Sequence, residues 1–104
     1  METPELLSLA DTTFKKCLDT LTKKNHDYSK GKDALRNFKM VEVFNLTDAP
    51  TGILVRLCDK FARVANLLNT EAQVKDESVT DTIDDIINYC ILLKACIAES
   101  KKNE

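Results

Sequence analysis

Residues 75–94, KDESVTDTIDDIINYCILLK, begin as a cluster of acids and end as an apolar run. Ser78 is predicted to cap a helix here, because its hydroxyl can accept hydrogen bonds from free backbone N–H groups. Apolar residues then recur at helical spacing, and they form one predicted stripe: Val79, Ile83, Ile86, Ile87, Cys90, Leu93 and Ile97. Asp81, Asp85 and Asn88 fall on the opposite face. The stretch therefore predicts a helix with an apolar stripe on one side and a polar row on the other.

The carboxylates of this polar row allow two interpretations. Carboxylates one turn apart repel each other, and Mg²⁺ would relieve the repulsion, since it binds a few carboxylates together with water and phosphates. Acids at the start of a helix are also favoured by the helix dipole without any ligand. Asp81 fits the dipole explanation, whereas Asp84 and Asp85 lie deeper in the helix. Spacing alone leaves a metal or nucleotide site and a solvated acidic turn both open.

The composition indicates an all-α fold. A chain of 104 residues is long enough for one domain with one modest core. Glycine and proline occur only twice each, so long segments contain no helix breaker. We predict a single helical domain over residues 1–98 and a charged, flexible tail over residues 99–104.

Charge is unevenly distributed along the chain. The formal net charge of −2 argues against general affinity for nucleic acids. Residues 23–39 contain six basic and two acidic side chains, whereas residues 71–85 contain six acidic and one basic side chain. A basic loop and an acidic helix start could face each other across a phosphate group and its metal ion.

The chain has the features of a cytoplasmic protein. No segment is long and apolar enough to span a membrane, and Glu2 and Glu5 stand where a signal peptide would be basic. The four cysteines are then expected to be reduced. Cys17, Cys58 and Cys90 lie on predicted apolar stripes, so they are expected in the core.

Four helices with short links predict an antiparallel bundle. The predicted ranges are residues 4–24, 34–45 and 50–68, followed by the helix that begins near residue 78. The last helix is apolar nearly all round from residue 86 to residue 97. One small bundle cannot cover every side of it, so we expect a homodimer or higher homo-oligomer that buries Tyr89, Leu92 or Cys96.

Two further segments offer candidate ligand contacts. In residues 25–33, NHDYSKGKD, Tyr28 could stack on a base, and Lys30 and Lys32 could meet phosphate, although an ordinary loop would have the same composition. The third predicted helix places a polar row opposite its apolar stripe: Arg56, Asp59, Arg63 and Asn66. Asp59 and Arg63 could form a surface ion pair. Alternatively, this row faces the acidic helix, with Asp59 as a metal ligand and Arg63 on the substrate.

Five segments occur in an order that resembles a known family: KNHDY at 24–28, NF at 37–38, LVRLCDKFAR at 54–63, VKDESVTD at 74–81 and DIINY at 85–89. This pattern resembles the nucleotide-modification-associated domain family (type one), which is common in phages and prophages. That family is similar to the all-α NTP pyrophosphatases, the MazG and dimeric dUTPase group. The resemblance covers residues 24–94, and it implies a MazG-like helical bundle.

The resemblance also implies a set of site residues. Active members of the wider group hold Mg²⁺ on a nucleoside triphosphate with two acidic pairs, of which the second is similar to Asp81 and Asp85. The first pair, Glu-x-x-Glu, is not present, since the third helix offers only Asp59 with Arg63 one turn later. The implied metal ligands are Asp59, Glu77, Asp81 and Asp85, of which the last three would be catalytic. The implied substrate contacts are Tyr28, Lys30, Lys32, Arg56, Arg63 and Asn88.

These observations lead to three hypotheses about function. The chain could be a Mg²⁺-dependent nucleoside triphosphate pyrophosphohydrolase in the cytoplasm of a phage-infected or lysogenic bacterium. It could instead bind a nucleotide or cyclic-nucleotide signal without cleaving it, which the missing acidic pair and Arg63 favour. It could also be a helical interaction protein with no ligand, although the basic loop opposite an acid cluster argues against this.

Overall fold

The computed structural model describes residues 1–29, 33–69 and 77–102, except for the side chains of residues 25–29, 77 and 78. It contains helix α1 (Thr3–Ser29), a 3₁₀ helix (Arg36–Lys39), and helices α2 (Met40–Val43), α3 (Ala49–Leu68) and α4 (Glu77–Lys102). Over these ranges there is no β-strand. The predicted all-α class is therefore confirmed, and α4 packs mainly against α3 and also against α1.

The start of α3 is determined by side chains within a few residues of it. The Asp48 side chain caps the helix by accepting a hydrogen bond from the Thr51 backbone N–H at 2.8 Å. Pro50 lies in the first turn, where its missing N–H would be unpaired in any case. Glu42 accepts a second bond from the Ala49 backbone N–H at 2.8 Å. These contacts explain why the predicted start is correct to within one residue.

The predicted helix over residues 34–45 is wrong in form. The chain makes only the 3₁₀ helix and the single turn α2 there. Asp33 accepts a hydrogen bond from the Leu35 N–H at 3.0 Å, and Asn45 adopts a positive φ of 60°. The first contact replaces helical pairing at one end, and the left-handed residue ends the segment at the other.

The core lies where the 3₁₀ segment meets α3 and α4. Its buried members are Leu35, Ala49, Ile53, Leu57 and Cys96. Half-buried side chains pack against this cluster: Phe38, Ile86, Tyr89, Leu92, Leu93 and Ala95. Tyr89, Leu92 and Cys96, which we expected between subunits, therefore pack within one chain. The expectation for the cysteines is correct for Cys17, which is buried, and wrong for Cys58 and Cys90, which are exposed.

Helix α4 contacts α3 on one side and α1 on another, so the burial of its faces differs from the prediction. The polar row packs toward α1, so that Asn88 is buried, while Ile83, Cys90 and Ile97 of the apolar stripe are exposed. Helix α1 likewise buries Cys17 and half-buries Leu21, but it exposes most of its large apolar side chains: Leu6, Leu7, Leu9, Phe14 and Leu18. Periodicity identified helical apolar positions, but the position of the neighbouring helices decided which of them are buried.

The limits of α4 also differ from the prediction. The helix begins at Glu77, so Ser78 lies inside it and is not the N-cap residue. It continues to Lys102 and includes the first four residues of the predicted tail. Glu99 forms an ion pair with Lys39, which ties this end of α4 to the 3₁₀ helix. None of the described helices is long and apolar enough to cross a membrane.

Candidate functional site

A cavity of about 850 Å³ lies between α1, the segment around the 3₁₀ helix, α3 and α4. Its apolar lining includes Leu21, Phe38, Tyr89, Ile91 and Leu92. Its polar lining includes Lys24, Asp33, Asn37, Arg56, Asp85, Asn88 and Glu99. A volume of several hundred Å³ with a few polar groups among apolar and aromatic ones is typical of sites for small organic ligands.

Two aromatic rings and a guanidinium group form one wall of this cavity. Phe38 of the 3₁₀ helix and Tyr89 of α4 meet edge to face, with their ring centroids 6.3 Å apart and their planes at 89°. The Arg56 Cζ atom of α3 lies 5.1 Å from the centroid of the Phe38 ring. This is a cation–π contact. Three separate elements thus converge on a surface that suits a flat, polarisable ligand.

Asn88 is a lining residue that carries a buried hydrogen-bond acceptor. The residue is 7% exposed, and its Nδ2 donates to the Cys17 carbonyl oxygen of α1 at 3.2 Å. Because a carbonyl can only accept, this bond assigns the orientation of the amide. The Oδ1 atom then has no hydrogen-bond partner within the described part of the chain. A buried acceptor without a partner is costly, so Asn88 is suited to a ligand that brings an N–H or O–H donor.

Asp85 lies in the cavity lining beside two lysines. Its Oδ2 is 3.2 Å from Lys60 Nζ of α3, and its Oδ1 is 3.9 Å from Lys24 Nζ of α1. All three side chains are partly exposed. This group therefore combines one carboxylate with two ammonium ions at the junction of three helices, a mixture that could exchange partners with a phosphate group.

A second ion cluster neutralises the beginning of α4. Lys16 Nζ lies 2.8 Å from Asp81 Oδ1 and 3.1 Å from Asp84 Oδ2. Hydrogen bonds to these two carboxylates raise the pKa of Lys16 above its usual value. A lysine of α1 therefore supplies the positive charge for which the sequence suggested a metal ion, and Asp81 does not line the cavity.

The remaining predicted metal ligands do not form a group with these acids in the described structure. Asp59 is exposed on α3, and the Glu77 side chain lies outside the described residues. Among the described side chains, no three of His, Cys, Asp and Glu are grouped so that they could hold a metal ion. The set of Asp59, Glu77, Asp81 and Asp85 accordingly stays a prediction.

The predicted substrate contacts divide into three groups. Arg56 and Asn88 line the cavity. Arg63 does not, and its Nε donates to Thr82 Oγ1 of α4 at 3.3 Å. Within the described residues, Arg63 forms no ion pair with Asp59, so the predicted surface pair is absent. The hydrogen bond to Thr82 instead favours the other interpretation, in which the polar row of α3 faces α4. Lys30, Lys32 and the Tyr28 side chain lie outside the described part of the chain.

Lys39 anchors the wall of the cavity that precedes α3. Its Nζ is 2.8 Å from Asp33 Oδ2, and it also pairs with Glu99 at the far end of α4. The Lys39 ammonium and the Leu35 N–H lower the pKa of Asp33. Asp33 and Glu99 both line the cavity, so Lys39 holds together two of its lining side chains, one before the 3₁₀ helix and one on α4.

The family model described as nucleotide modification associated domain 1 matches residues 24–97. This match covers well over half of the chain and includes Phe38, Arg56, Asp85, Asn88 and Tyr89. The chain belongs to this family. Neither the curated proteins nor the solved structures gave a match.

Within the matched span, sequence reasoning missed several site residues. The segments NF at 37–38 and DIINY at 85–89 supported the family resemblance, but Phe38 and Tyr89 were not assigned to the ligand site, and Tyr89 was expected between subunits. Lys60 and Asp33 were also missed. The aromatic at 89 directly after Asn88 was an available signal, whereas the pairing of Asp85 with Lys60 had none, since the two residues lie on different helices.

Proposed function

We propose that this member of the nucleotide modification associated domain 1 family binds a nucleotide in the cavity between α1, α3 and α4. The observation that supports this most is Asn88, a buried side chain with an acceptor unpaired among the described residues, beside the aromatic wall of Phe38 and Tyr89. The family description connects the chain with nucleotide modification.

The base would occupy the aromatic part of the cavity. A nucleobase has a flat π-face that can contact an aromatic ring and edge N–H groups that can donate. In the proposed complex, a ring N–H or exocyclic amino group donates to Asn88 Oδ1, and the base contacts Phe38 or Tyr89. Asp33 and Glu99 also line the cavity and could accept from further donors on the base or sugar.

The phosphates would bind where Asp85 meets Lys24 and Lys60. Phosphate oxygens would attract the two ammonium groups, which would otherwise pair with Asp85. Mg²⁺ is commonly bound by one or two carboxylates together with substrate phosphates. The donor set fits that mode, because Asp85 lines the cavity as a partly exposed carboxylate. We therefore propose Asp85 as the protein ligand of a Mg²⁺ ion bound together with the nucleotide.

Binding without cleavage is the better supported form of this proposal. The chain lacks the Glu-x-x-Glu pair of the pyrophosphatases that it resembles, and Arg63 lies one turn after Asp59. The described side chains also contain no group of three metal ligands. The resemblance to a family that is common in phages and prophages supports a role in the cytoplasm of an infected or lysogenic bacterium, with the nucleotide as a pool component or signal.

The proposal is tested by calorimetric titration of nucleosides, nucleoside mono- and triphosphates and cyclic nucleotides, with and without Mg²⁺. Phe38→Leu should weaken binding about tenfold or more, because stacking on an aromatic ring contributes about 1–3 kcal/mol per base. Phe44→Leu is the matched control, since Phe44 is 66% exposed and does not line the cavity. Equal affinities for the two variants, or no binding by the native chain, would refute the proposal.

Analysis of the nucleotide after incubation distinguishes binding from hydrolysis. Unchanged nucleotide recovered from a saturated complex in the presence of Mg²⁺ is the expected result. Release of pyrophosphate and a nucleoside monophosphate would instead assign the chain to the pyrophosphohydrolases.

A further inference from the structure

The cavity extends along α4, and its chemistry changes along the helix. Asp85 and Glu99 both line it, and at about 1.5 Å per residue they lie about 21 Å apart along the helix axis. Lys24 and Lys60 place their ammonium groups beside Asp85. Near Glu99, Asp33 adds a second carboxylate, which would repel phosphate. A nucleotide with its phosphates at Asp85 therefore directs its base along the aromatic wall toward Asp33 and Glu99.

Lys39 holds these two carboxylates in place. Its Nζ lies 2.8 Å from Asp33 Oδ2 and also pairs with Glu99 Oε1, while Asp33 Oδ1 accepts from the Leu35 backbone N–H at 3.0 Å. The Lys39 ammonium and the Leu35 N–H lower the pKa of Asp33, which favours the ionised form. The oxygens of an ionised carboxylate accept hydrogen bonds and cannot donate them. A base edge that meets these two side chains must therefore donate.

Asn88, which also lines the cavity, carries a third acceptor. The residue is 7% exposed, and its Oδ1 has no hydrogen-bond partner in the described part of the chain. The lining also contains groups that can donate: Asn37, Arg56, Tyr89 and Lys102. Of these, Arg56 lies over the Phe38 ring, and the side chains of Asn37 and Tyr89 can accept as well as donate. The groups that can act only as acceptors thus select for donors on the ligand.

Guanine matches such acceptors better than the other three bases of RNA. Its Watson–Crick edge carries the N1–H and the N2 amino group side by side, so one carboxylate can accept from both. Adenine and cytosine place a ring nitrogen with a lone pair beside their amino group, and uracil has a single N–H between two carbonyl oxygens. A carboxylate opposite a lone pair or a carbonyl oxygen would be repelled.

We infer that the cavity binds a guanine nucleotide, whose base is recognised through its N–H donors by the carboxylates of Asp33 and Glu99. This inference rests on the proposed function, and it goes further because it names the base and the residues that select it. Lys39 does not line the cavity, so it acts as a positioning residue for both carboxylates.

Calorimetric titration with the triphosphates of guanosine, inosine, adenosine, cytidine and uridine, at one Mg²⁺ concentration, tests the inference. Inosine lacks only the 2-amino group of guanosine. We expect guanosine triphosphate to bind most tightly, and about tenfold or more tightly than inosine triphosphate, because a bidentate contact to a base gives discrimination of this size.

Substitution of the carboxylates locates the contact. The ratio of the guanosine and inosine triphosphate affinities should fall in Glu99→Gln, in Asp33→Asn or in both, since an amide presents a donor beside its acceptor. Glu99→Gln keeps the test valid if Asp33→Asn does not fold, because the Leu35 N–H bond of Asp33 is unaffected by it. Asp19→Asn is the matched control, because Asp19 pairs with Lys23 on an exposed part of α1 and does not line the cavity.

Phe38→Leu separates this inference from the proposed function. It should weaken the binding of guanosine and inosine triphosphates by the same factor, and so leave their ratio unchanged. Binding of nucleotides without a preference for guanosine would overturn the guanine assignment and leave the proposed function intact. The same conclusion follows if the ratio is unchanged in the folded carboxylate variants, or if it falls as much in Asp19→Asn. Absence of binding for all five triphosphates would refute both.

Discussion

Asn88 in α4 donates a hydrogen bond to the carbonyl oxygen of Cys17 in α1 at 3.2 Å, across 71 positions of sequence. This bond fixes the side-chain amide so that its Oδ1 acts only as an acceptor. The same contact therefore connects the packing of two helices with the chemistry of the cavity that Asn88 lines. We therefore expect that a substitution of Asn88 can abolish ligand binding while it changes stability only slightly.

We predict that Asn88→Leu changes the free energy of unfolding by less than about 1 kcal/mol, because it removes one hydrogen bond together with an unpaired buried acceptor. Nucleotide binding should be lost in the same variant. Asn88→Asp should be more destabilising, by about 1–3 kcal/mol, since a carboxylate would face the Cys17 carbonyl oxygen in a buried place. Urea denaturation measures both effects, and a reversed order of the two variants would contradict the orientation assigned to the amide.

The Lys16 cluster predicts a response to divalent cations. In Lys16→Met, Asp81 and Asp84 lose the ammonium that lies within 3.1 Å of both. Mutual repulsion should then favour Mg²⁺, so the rise in melting temperature on addition of Mg²⁺ should be larger in the variant than in the native chain. Lys15→Met is the control, because Lys15 pairs with Asp11 on the same helix and, among the described residues, with neither Asp81 nor Asp84. Equal Mg²⁺ responses in all three proteins would show that the Lys16 ammonium does not take the place of a metal ion beside Asp81 and Asp84.

Asp33 predicts a contribution to stability at acid pH. Its pKa is below the usual value of 3.8, chiefly because of Lys39. A carboxyl with a lowered folded pKa stabilises the fold at pH values above its unfolded pKa, and this contribution disappears as the pH falls through the folded pKa. Below pH 3.8, the native chain should therefore lose stability more steeply with acidification than Asp33→Asn.

Denaturation curves at several acid pH values measure this difference between Asp33→Asn and the native chain. Asp19→Asn serves as the comparison, since Asp19 pairs with Lys23 on one exposed helix face. The assignment would be wrong if Asp19→Asn reduced the slope as much as Asp33→Asn.

We predict that substitution of Asp85 changes ligand binding but has little effect on the stability of the fold. Asp85→Asn should abolish the gain in nucleotide affinity on addition of Mg²⁺. Its ion pairs with Lys24 and Lys60 are partly exposed, so the loss of stability should stay below about 1 kcal/mol. Asp81→Asn is the matched control on the same helix, because Asp81 does not line the cavity. A large drop in melting temperature for Asp85→Asn, with Mg²⁺ dependence retained, would make Asp85 a structural residue.

Much of the fold was predictable wherever its cause lies within a few residues. The Asp48 cap and Pro50 located the start of α3 because both act inside its first turn. The segment after residue 33 was not predictable in the same way. Its periodicity is helical, but the Asp33 and Lys39 contacts and the burial of Leu35 against α3 and α4 produce a 3₁₀ turn instead.

The candidate site was predictable only in part. Asp85 and Asn88 share a helix face, so spacing alone brought them together. Phe38, Arg56 and Tyr89 come from three different elements, and no local pattern indicates that their side chains meet. The acidic helix start shows the same limit, because the Lys16 that neutralises it lies 65 residues earlier.

By itself, the sequence determined that the chain is helical, where α3 begins, and that α4 has a polar face with acids at its start. These properties depend on backbone propensity, caps and periodicity, which act between residues close in the chain. The tertiary structure alone decided that this polar face packs on α1 and that lysines pair with its acids. Such properties depend on the distances between helices, which bring together residues far apart in sequence.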